Sequence, residues 1–259
     1  MADAAPQHTA LHTTLHMIRA RLDGRRLFEL ARRRRLLPEQ GETDLGYAVH
    51  SLLGELFGEL APKPFALPDD APAPAGLTVL GYSAHDAARL KEHADLFADP
   101  FVHAAVDWAW FDAKPLPATF PVGRTLGFDV RACPVERSRL LRGDRTESPE
   151  VDALIVEGTR QGVERGLDRN AVYLGWLERE LARRGGVRLL SADVAGFRYA
   201  RFLRRDQKTR APSRLPALPD VRFKGVLEVT DAGAFAALLA RGVGRHRAFG
   251  FGMLLLRPA

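Results

Sequence analysis

The sequence predicts an α+β protein made of two tandem units, residues 1–135 and 136–259. The chain of 259 residues is long enough for two domains of roughly 100–130 residues each. Hydrophobic residues make up 46% of it and charged residues 27%, which is the balance of an ordinary globular protein. Strand and helix periodicities alternate in both halves, which indicates a mixture of strands and helices.

The first half is predicted to contain strands alternating with helices. In chain order we expect a strand at 11–22, an arginine-rich helix at 25–37, a helix at 45–60, a strand at 77–82, a helix at 84–96 and strands at 102–111 and 125–131. Pro38 ends the arginine-rich helix, and a proline-rich connection follows the next helix. The order suggests a ferredoxin-like (RRM-like) unit.

The second half is predicted to follow a related order. After a charged linker we expect helices at 149–166 and 169–184, strands at 187–192, 197–203 and 221–229, a helix at 232–241 and a final strand at 253–256. Asp231 caps the last helix, and a glycine-rich loop follows it. This order is compatible with a second ferredoxin-like unit, so the predicted fold is two ferredoxin-like domains in tandem.

The helix at 45–60 has two different faces. Its apolar residues recur at i, i+3, i+4 and i+7 and form one stripe. Opposite that stripe the helical period groups small and polar residues, namely Tyr47, His50, Ser51, Gly54 and Gly58. One face is therefore expected in the core, and the other is expected to be open.

The charge of the chain points towards a polyanionic partner. The net charge is +6, and the 38 basic residues include only five lysines. Residues 198–214 carry seven basic side chains against Asp206 alone, and residues 19–35 carry eight arginines against Asp23 and Glu29. Such stripes are typical of surfaces that contact a phosphate backbone. A GC-rich genome, which favours arginine codons, and a merely solvated charge run are the alternatives.

Cysteine content and the N-terminus indicate a cytoplasmic protein. Cys133 is the only cysteine, so neither an intrachain disulfide nor a CxxC-type zinc or redox site is expected. The N-terminus lacks a basic region followed by an apolar stretch, and the chain has no run of 18 or more apolar residues. We therefore expect neither export nor a membrane span.

Three stretches resemble the CasE-type CRISPR repeat-processing endoribonucleases of the RAMP superfamily. The most specific is the glycine-rich motif at 242–252, GVGRHRAFGFG. The second is VGRTLGFDVRACP at 122–134, with Trp176 and Leu177 on a later helix. The third is DLGYAVH at 44–50, which is similar to the family's Tyr-x-x-His. The arginine-rich segment before Tyr47 and the proline-rich connection after this helix depart from compact members of the family.

The resemblance implies an activity and a set of site residues. It implies metal-independent cleavage beside the stem-loop of a precursor CRISPR RNA, with catalysis by His50 and help from Tyr47. It implies no cofactor, and it implies partners in a Cascade-like complex. The residues that we expect to contact RNA lie in the basic stretch and in the glycine-rich motif: Arg198, Arg201, Arg204, Arg205, Lys208, Arg210, Arg245, His246 and Arg247.

Other interpretations of these residues remain open. His50 could be an exposed helix residue without a function. The glycine-rich loop could serve packing alone, although a dinucleotide fingerprint is disfavoured because this loop follows a helix and enters a strand. His8, His12 and His16 are spaced by four residues but lack a nearby carboxylate, which disfavours a metal site. A non-catalytic RNA-binding subunit on the same fold is the alternative function.

Overall fold

The computed structural model describes residues 14–37, 44–68, 76–138, 149–163, 165–201, 203–205, 212–214 and 217–259. Its first unit contains four strands and four helices, with a 3-10 turn at Gly58–Leu60. In chain order these are β1 (His16–Leu22), α1 (Gly24–Arg33), α2 (Leu45–Phe57), β2 (Phe65–Ala66), β3 (Leu77–Ser83), α3 (Ala87–Phe97), α4 (Pro100–His103) and β4 (Asp112–Pro115).

The second unit has a four-stranded sheet, three helices and two small strand pairs. Its elements are β5 (Thr125–Ala132), β6 (Val135–Arg137), β7 (Glu150–Asp152), α5 (Ala153–Gln161), α6 (Arg169–Arg184), β8 (Val187–Ala200), β9 (Leu203–Arg205), β10 (Pro212–Arg214), β11 (Leu218–Val229), α7 (Ala232–Arg241) and β12 (Leu255–Pro258). A 3-10 turn at Arg247–Phe249 lies in the glycine-rich loop.

The two larger sheets share one topology. Their strands lie in the orders β2-β3-β1-β4 and β12-β5-β11-β8, and all pairs are antiparallel. Numbered along the chain within each unit, both orders are 4-1-3-2, the arrangement of a ferredoxin-like sheet. The prediction of two tandem ferredoxin-like domains is therefore confirmed.

Aspartate residues fix where the helices begin. Each described α-helix follows an aspartate whose carboxylate accepts a hydrogen bond from a backbone N–H of the first turn; these are Asp23, Asp44, Asp86, Asp99, Asp152, Asp168 and Asp231. Such caps satisfy donors that have no partner inside the helix, and they place negative charge at its positive end.

Three corrections concern predicted strands. The predicted boundary at 135 assigns the strand at 125–131 to the first half, but β5 pairs with β11 and β12 in the second sheet. Residues 102–111 form no strand, because Asp99 and Pro100 begin the short helix α4 there. The strands predicted at 187–192 and 197–203 form one long strand, β8, which ends at Ala200, while Leu203 begins β9.

Each unit has its own core, and the first sheet also packs on the second unit. The helices of the first unit cover one face of its sheet and bury Ile18, Val49 and Leu52. On the other face, Met17 and Leu80 join the core of the second unit. The buried Tyr82 hydroxyl donates a hydrogen bond to the Leu254 carbonyl at 2.7 Å, which joins the two units directly.

A buried carboxylate links β5, β11 and β8, which are neighbours in the second sheet. Asp220 in β11 is 6% exposed and accepts two hydrogen bonds from Arg131 in β5 and one from Arg198 in β8, all at 2.7 Å. Burial opposes ionisation, but both guanidinium groups outweigh it and lower the pKa of Asp220.

Replacing Asp220 with asparagine should lower the free energy of unfolding at pH 7 by about 2–3 kcal/mol, because charge-assisted bonds are lost around Arg131. Because the folded pKa is depressed, the difference from wild type should shrink as the pH falls below about 4. Urea unfolding at several pH values measures this. Asp193→Asn, at an exposed position of β8, is the control. Equal stabilities of wild type and Asp220→Asn at pH 7 would contradict the assignment.

Candidate active site

Helix α2 presents the predicted catalytic residues on its open face. Asp44 accepts a hydrogen bond from the Tyr47 N–H at 2.9 Å and so begins the helix just before them. The apolar stripe is buried, whereas His50 is exposed and Tyr47 is partly buried. The faces of this helix therefore lie as the sequence predicts.

The glycine-rich loop of the second unit packs on this face. Phe249 is stacked on Tyr47, with ring centres 5.4 Å apart and planes 13° apart. The same ring meets His50 edge to face, with centres 5.0 Å apart and planes 83° apart. A side chain at Gly46 would collide with the Phe249 carbonyl, so this glycine permits the close approach. Residues from both units thus form one aromatic cluster around His50.

The glycines of the loop are required by its backbone. Gly242, Gly244, Gly250 and Gly252 have φ values of 74°, 69°, 84° and 78°, in the left-handed region that other residues rarely adopt. A Cβ at Gly252 would also collide with the Val243 carbonyl. Packing therefore accounts for these glycines, and the loop follows α7 and leads into β12, unlike a dinucleotide-binding loop.

Two of the predicted RNA-binding residues of the loop are held by Glu150 in β7. Arg245 Nε donates to one carboxylate oxygen at 2.7 Å, and His246 Nε2 lies 3.0 Å from the other. The bond to His246, together with the charge and hydrogen bond of Arg245, lowers the pKa of Glu150 to about 2. Arg247 instead donates to the Arg241 carbonyl at 2.6 Å. These contacts fix the loop that carries Phe249.

The electrostatic surroundings of His50 favour its neutral form. Burial of part of the ring lowers the pKa of His50, and the positive charge of Lys63 lowers it further. Lys63 is exposed, and it lies in a segment that packs on the glycine-rich loop: Pro64 lies beside Gly242, and Phe65 lies beside Gly250. Both effects favour the neutral imidazole, which is the form that can accept a proton.

The predicted basic stretch lies partly within a hairpin. Strands β9 and β10 pair antiparallel, and Arg204 and Arg205 lie in β9. Arg198 in β8 is 63% exposed while it is bonded to Asp220, and Arg201 is exposed. Lys208 and Arg210 lie outside the described residues. Arg198 of β8 is connected to the site through Asp220 and Arg131, whose carbonyl accepts a hydrogen bond from the Gly252 N–H at 2.7 Å.

Sequence reasoning assigned no role to three residues of the site: Phe249, Glu150 and Lys63. Phe249 lies within the glycine-rich motif, but only long-range packing brings it to His50. Glu150 follows the charged linker, and Lys63 lies between two prolines. For Glu150 and Lys63 the sequence shows only a charged residue near a turn. Such residues are too common in proteins to indicate a site.

The described part of the chain shows no metal cluster and no membrane helix. Among these residues no three histidine, cysteine, aspartate or glutamate side chains are grouped so that they could share a metal ion. His16 lies in β1, whereas His8 and His12 lie outside the described ranges. No helix within those ranges combines the length and the apolarity needed to cross a bilayer.

Replacing Phe249 with leucine should expose the His50 ring to water and raise its pKa towards the ordinary value of about 6.5. An NMR titration of the His50 ring, compared with wild type, measures this shift. Phe249→Tyr should retain the wild-type value because the ring is kept, and Phe97→Leu, at an exposed position of α3, is a control for the loss of a phenyl ring. An unchanged titration in Phe249→Leu would show that Phe249 does not shield His50.

Comparison with known proteins places the chain in a family. The family model described as "CRISPR associated protein" matches residues 15–258. CRISPR-associated endoribonuclease Cse3 of Thermus thermophilus is 31% identical over 153 residues, which are 57% of this chain and 63% of that relative. The match thus spans just under two thirds of the curated relative's length.

Solved structures share the fold along almost the whole chain. A CRISPR endoribonuclease Cse3 bound to 19 nt RNA is similar with a TM-score of 0.61 and 24% identity, covering 95% of this chain and 100% of that one. Cas6e from Escherichia coli K-12 is similar with a TM-score of 0.52 and 20% identity, covering 94% and 100%. The chain therefore belongs to this family of CRISPR associated proteins, as its resemblance to the CasE type predicted.

Proposed function

We propose that this protein is a metal-independent endoribonuclease that binds the repeat stem-loop of a precursor CRISPR RNA and cuts the strand beside the stem. The products carry a 5′-hydroxyl and a 2′,3′-cyclic phosphate, and the protein stays bound to the guide RNA in a Cascade-like complex. The observation that carries the proposal is the cluster of His50, Tyr47 and Phe249 beneath a basic, glycine-rich loop. The similarity to relatives described as CRISPR endoribonucleases supports it.

The nucleophile in this mechanism is the 2′-hydroxyl of the substrate. A bond forms between the 2′-oxygen and phosphorus while the bond from phosphorus to the 5′-oxygen breaks, and a proton moves from the former oxygen and another to the latter. The lowered pKa of His50 suits it to accept the first proton. Tyr47, one turn earlier on α2, is the second group at the scissile bond.

Cationic side chains hold the RNA in this proposal. The exposed Lys63 stabilises negative charge that develops on the phosphate beside His50. Arginines of the β9–β10 hairpin contact the phosphates of the stem, because the major groove of A-form RNA is too deep and narrow for most side chains to reach the bases. Arg245, His246 and Arg247 contact the RNA where the stem meets the cut.

His50→Ala should reduce single-turnover cleavage of repeat RNA by about 10² or more while RNA affinity stays nearly unchanged, because proton transfer contributes to the transition state and not to binding. Tyr47→Phe should reduce the cleavage rate less than His50→Ala does. Rates and affinities are measured on the same labelled RNA, with His85→Ala as the control histidine. If His50→Ala cleaves within a few-fold of wild type, His50 has no part in the mechanism. If the wild type binds this RNA without cutting it, the protein is a binding subunit.

Neutralising the basic stretch at Arg201, Arg204, Arg205 and Lys208 should weaken RNA binding and flatten the dependence of affinity on salt, by about 0.9 in slope for each lost duplex phosphate contact. Cleavage at saturating protein should persist. Neutralisation of Arg89, Lys91, Arg160 and Arg188 gives a control with the same change in charge. Identical salt slopes for the two variants would show that the basic stretch does not touch RNA.

A further inference from the structure

The arginine-rich helix α1 has features that folding does not explain. Residues 23–35 carry six arginines against Asp23 and Glu29. Arg25 and Arg26 occupy the first turn, where positive charge opposes the helix dipole and costs stability. Phe28 is 51% exposed on the same helix. Arg32 and Arg33 in the last turn favour the helix, but the first-turn arginines and the open phenyl ring do not.

Some arginines of α1 interact with other residues of the protein. Glu29 accepts hydrogen bonds from Arg32 and Arg33 at 3.0 Å. Arg33 also lies over the ring of Phe101, 4.0 Å from its centre. Among the described residues, Arg25 and Arg35 form no ion pair with a carboxylate. Arg32 keeps 72% of its side chain exposed while it is bonded to Glu29.

Helix α1 lies beside the face of α2 that carries His50. Arg34 donates two hydrogen bonds, of 2.8 and 2.7 Å, to Glu55 of α2. Nine residues, about two and a half helical turns, separate Gly46 from Glu55, so the two lie on opposite flanks of α2. The glycine-rich loop contacts the Gly46 flank, and α1 is bonded to the Glu55 flank. His50 lies on the face between them.

An exposed stripe of α1 lines an open cleft. Arg25, Phe28 and Arg32 recur at i, i+3 and i+7 and therefore share one side of the helix. The cleft beside them encloses about 1080 Å³ and is also lined by Arg21. Its carboxylates are engaged: Asp23 caps α1, Glu29 is held by two arginines, and Asp107 lies 3.8 Å from Arg21.

We propose that α1 binds the unpaired RNA strand on the side of the cut away from the stem, with guanidinium groups on its phosphates and Phe28 against a base. This inference rests on the proposed function, which places the stem on the glycine-rich loop and the scissile phosphate at His50. A strand that continues across α2 from the loop reaches the Glu55 flank, where Arg34 joins α1 to α2. Nine residues separate Arg25 from Arg34, so the strand has to cross α1 to reach the stripe of Arg25, Phe28 and Arg32 on its far side. Arginine forks pair with phosphates, and aromatic rings stack on unpaired bases of any sequence.

The test compares two RNAs and two variants of the full-length protein. One RNA is the repeat stem-loop ending at the cut, and the other extends about twelve unpaired nucleotides beyond it, with a 2′-deoxy nucleotide at the cut site to block cleavage. The variants are Arg25→Gln/Arg32→Gln/Arg35→Gln and the control Arg89→Gln/Arg160→Gln/Arg188→Gln, which has the same change in charge. Arg33 and Arg34 are retained because they contact Phe101 and Glu55.

Wild type should bind the extended RNA more tightly and with a steeper salt dependence than the stem-loop alone. The α1 variant should lose that gain, with a salt slope lower by about 0.7 per lost single-strand contact, and should bind the stem-loop as wild type does. Phe28→Ser should weaken binding of the extended RNA alone, by about fivefold. The control variant should behave as wild type with both RNAs.

Two results would overturn the inference: equal loss of affinity for both RNAs in the α1 variant, or no loss with either. Binding of the stem-loop by the α1 variant also shows that it is folded. Cleavage of the all-ribose extended RNA by wild type is measured separately. If that RNA is cut and the α1 variant binds it as wild type does, only the role of α1 is wrong; if it is bound and never cut, the proposed function is wrong.

Discussion

The site depends on the packing of one loop of the second unit against one helix of the first. The Phe249 ring packs against both Tyr47 and His50, and the lack of a side chain at Gly46 allows the Phe249 backbone to approach α2. Neither unit alone holds this cluster. The arrangement of the two units therefore determines the surroundings of His50, because Phe249 of the loop packs against its ring.

Carboxylates of the second unit hold the two ends of the glycine-rich loop. Glu150 holds Arg245 and His246 at the start of the 3-10 turn. Asp220 holds Arg131, whose carbonyl accepts a hydrogen bond from Gly252 at the end of the loop. Arginines that belong to basic motifs in the sequence are thus also structural, since their carboxylate partners are buried or half-buried. Such partners hold the loop in place, and the proposed mechanism needs this because it requires a phosphate to be positioned within a fraction of an ångström.

The sequence was sufficient for the parts of the fold that depend on local patterns. The apolar stripe of α2 and the polar face with His50 follow from helical periodicity, and Asp231 marks the start of α7. Local patterns did not show to which sheet each strand belongs. Strand β5 follows the first unit in the chain without a distinctive break, yet its alternating buried residues pack in the second sheet. Long-range pairing and the meeting of Phe249 with His50 depend on tertiary contacts that single-sequence patterns do not contain.

The central claim is that the RNA supplies its own nucleophile beside His50. The most direct measurement is cleavage, with excess chelator, of a labelled repeat RNA in which hydrogen replaces the single 2′-hydroxyl at the cut site. The account predicts that the all-ribose RNA is cut as fast with chelator as without it, and that the deoxy RNA is bound with equal affinity and left intact. Cleavage of the deoxy RNA, or loss of activity on chelation that a divalent ion restores, would contradict it.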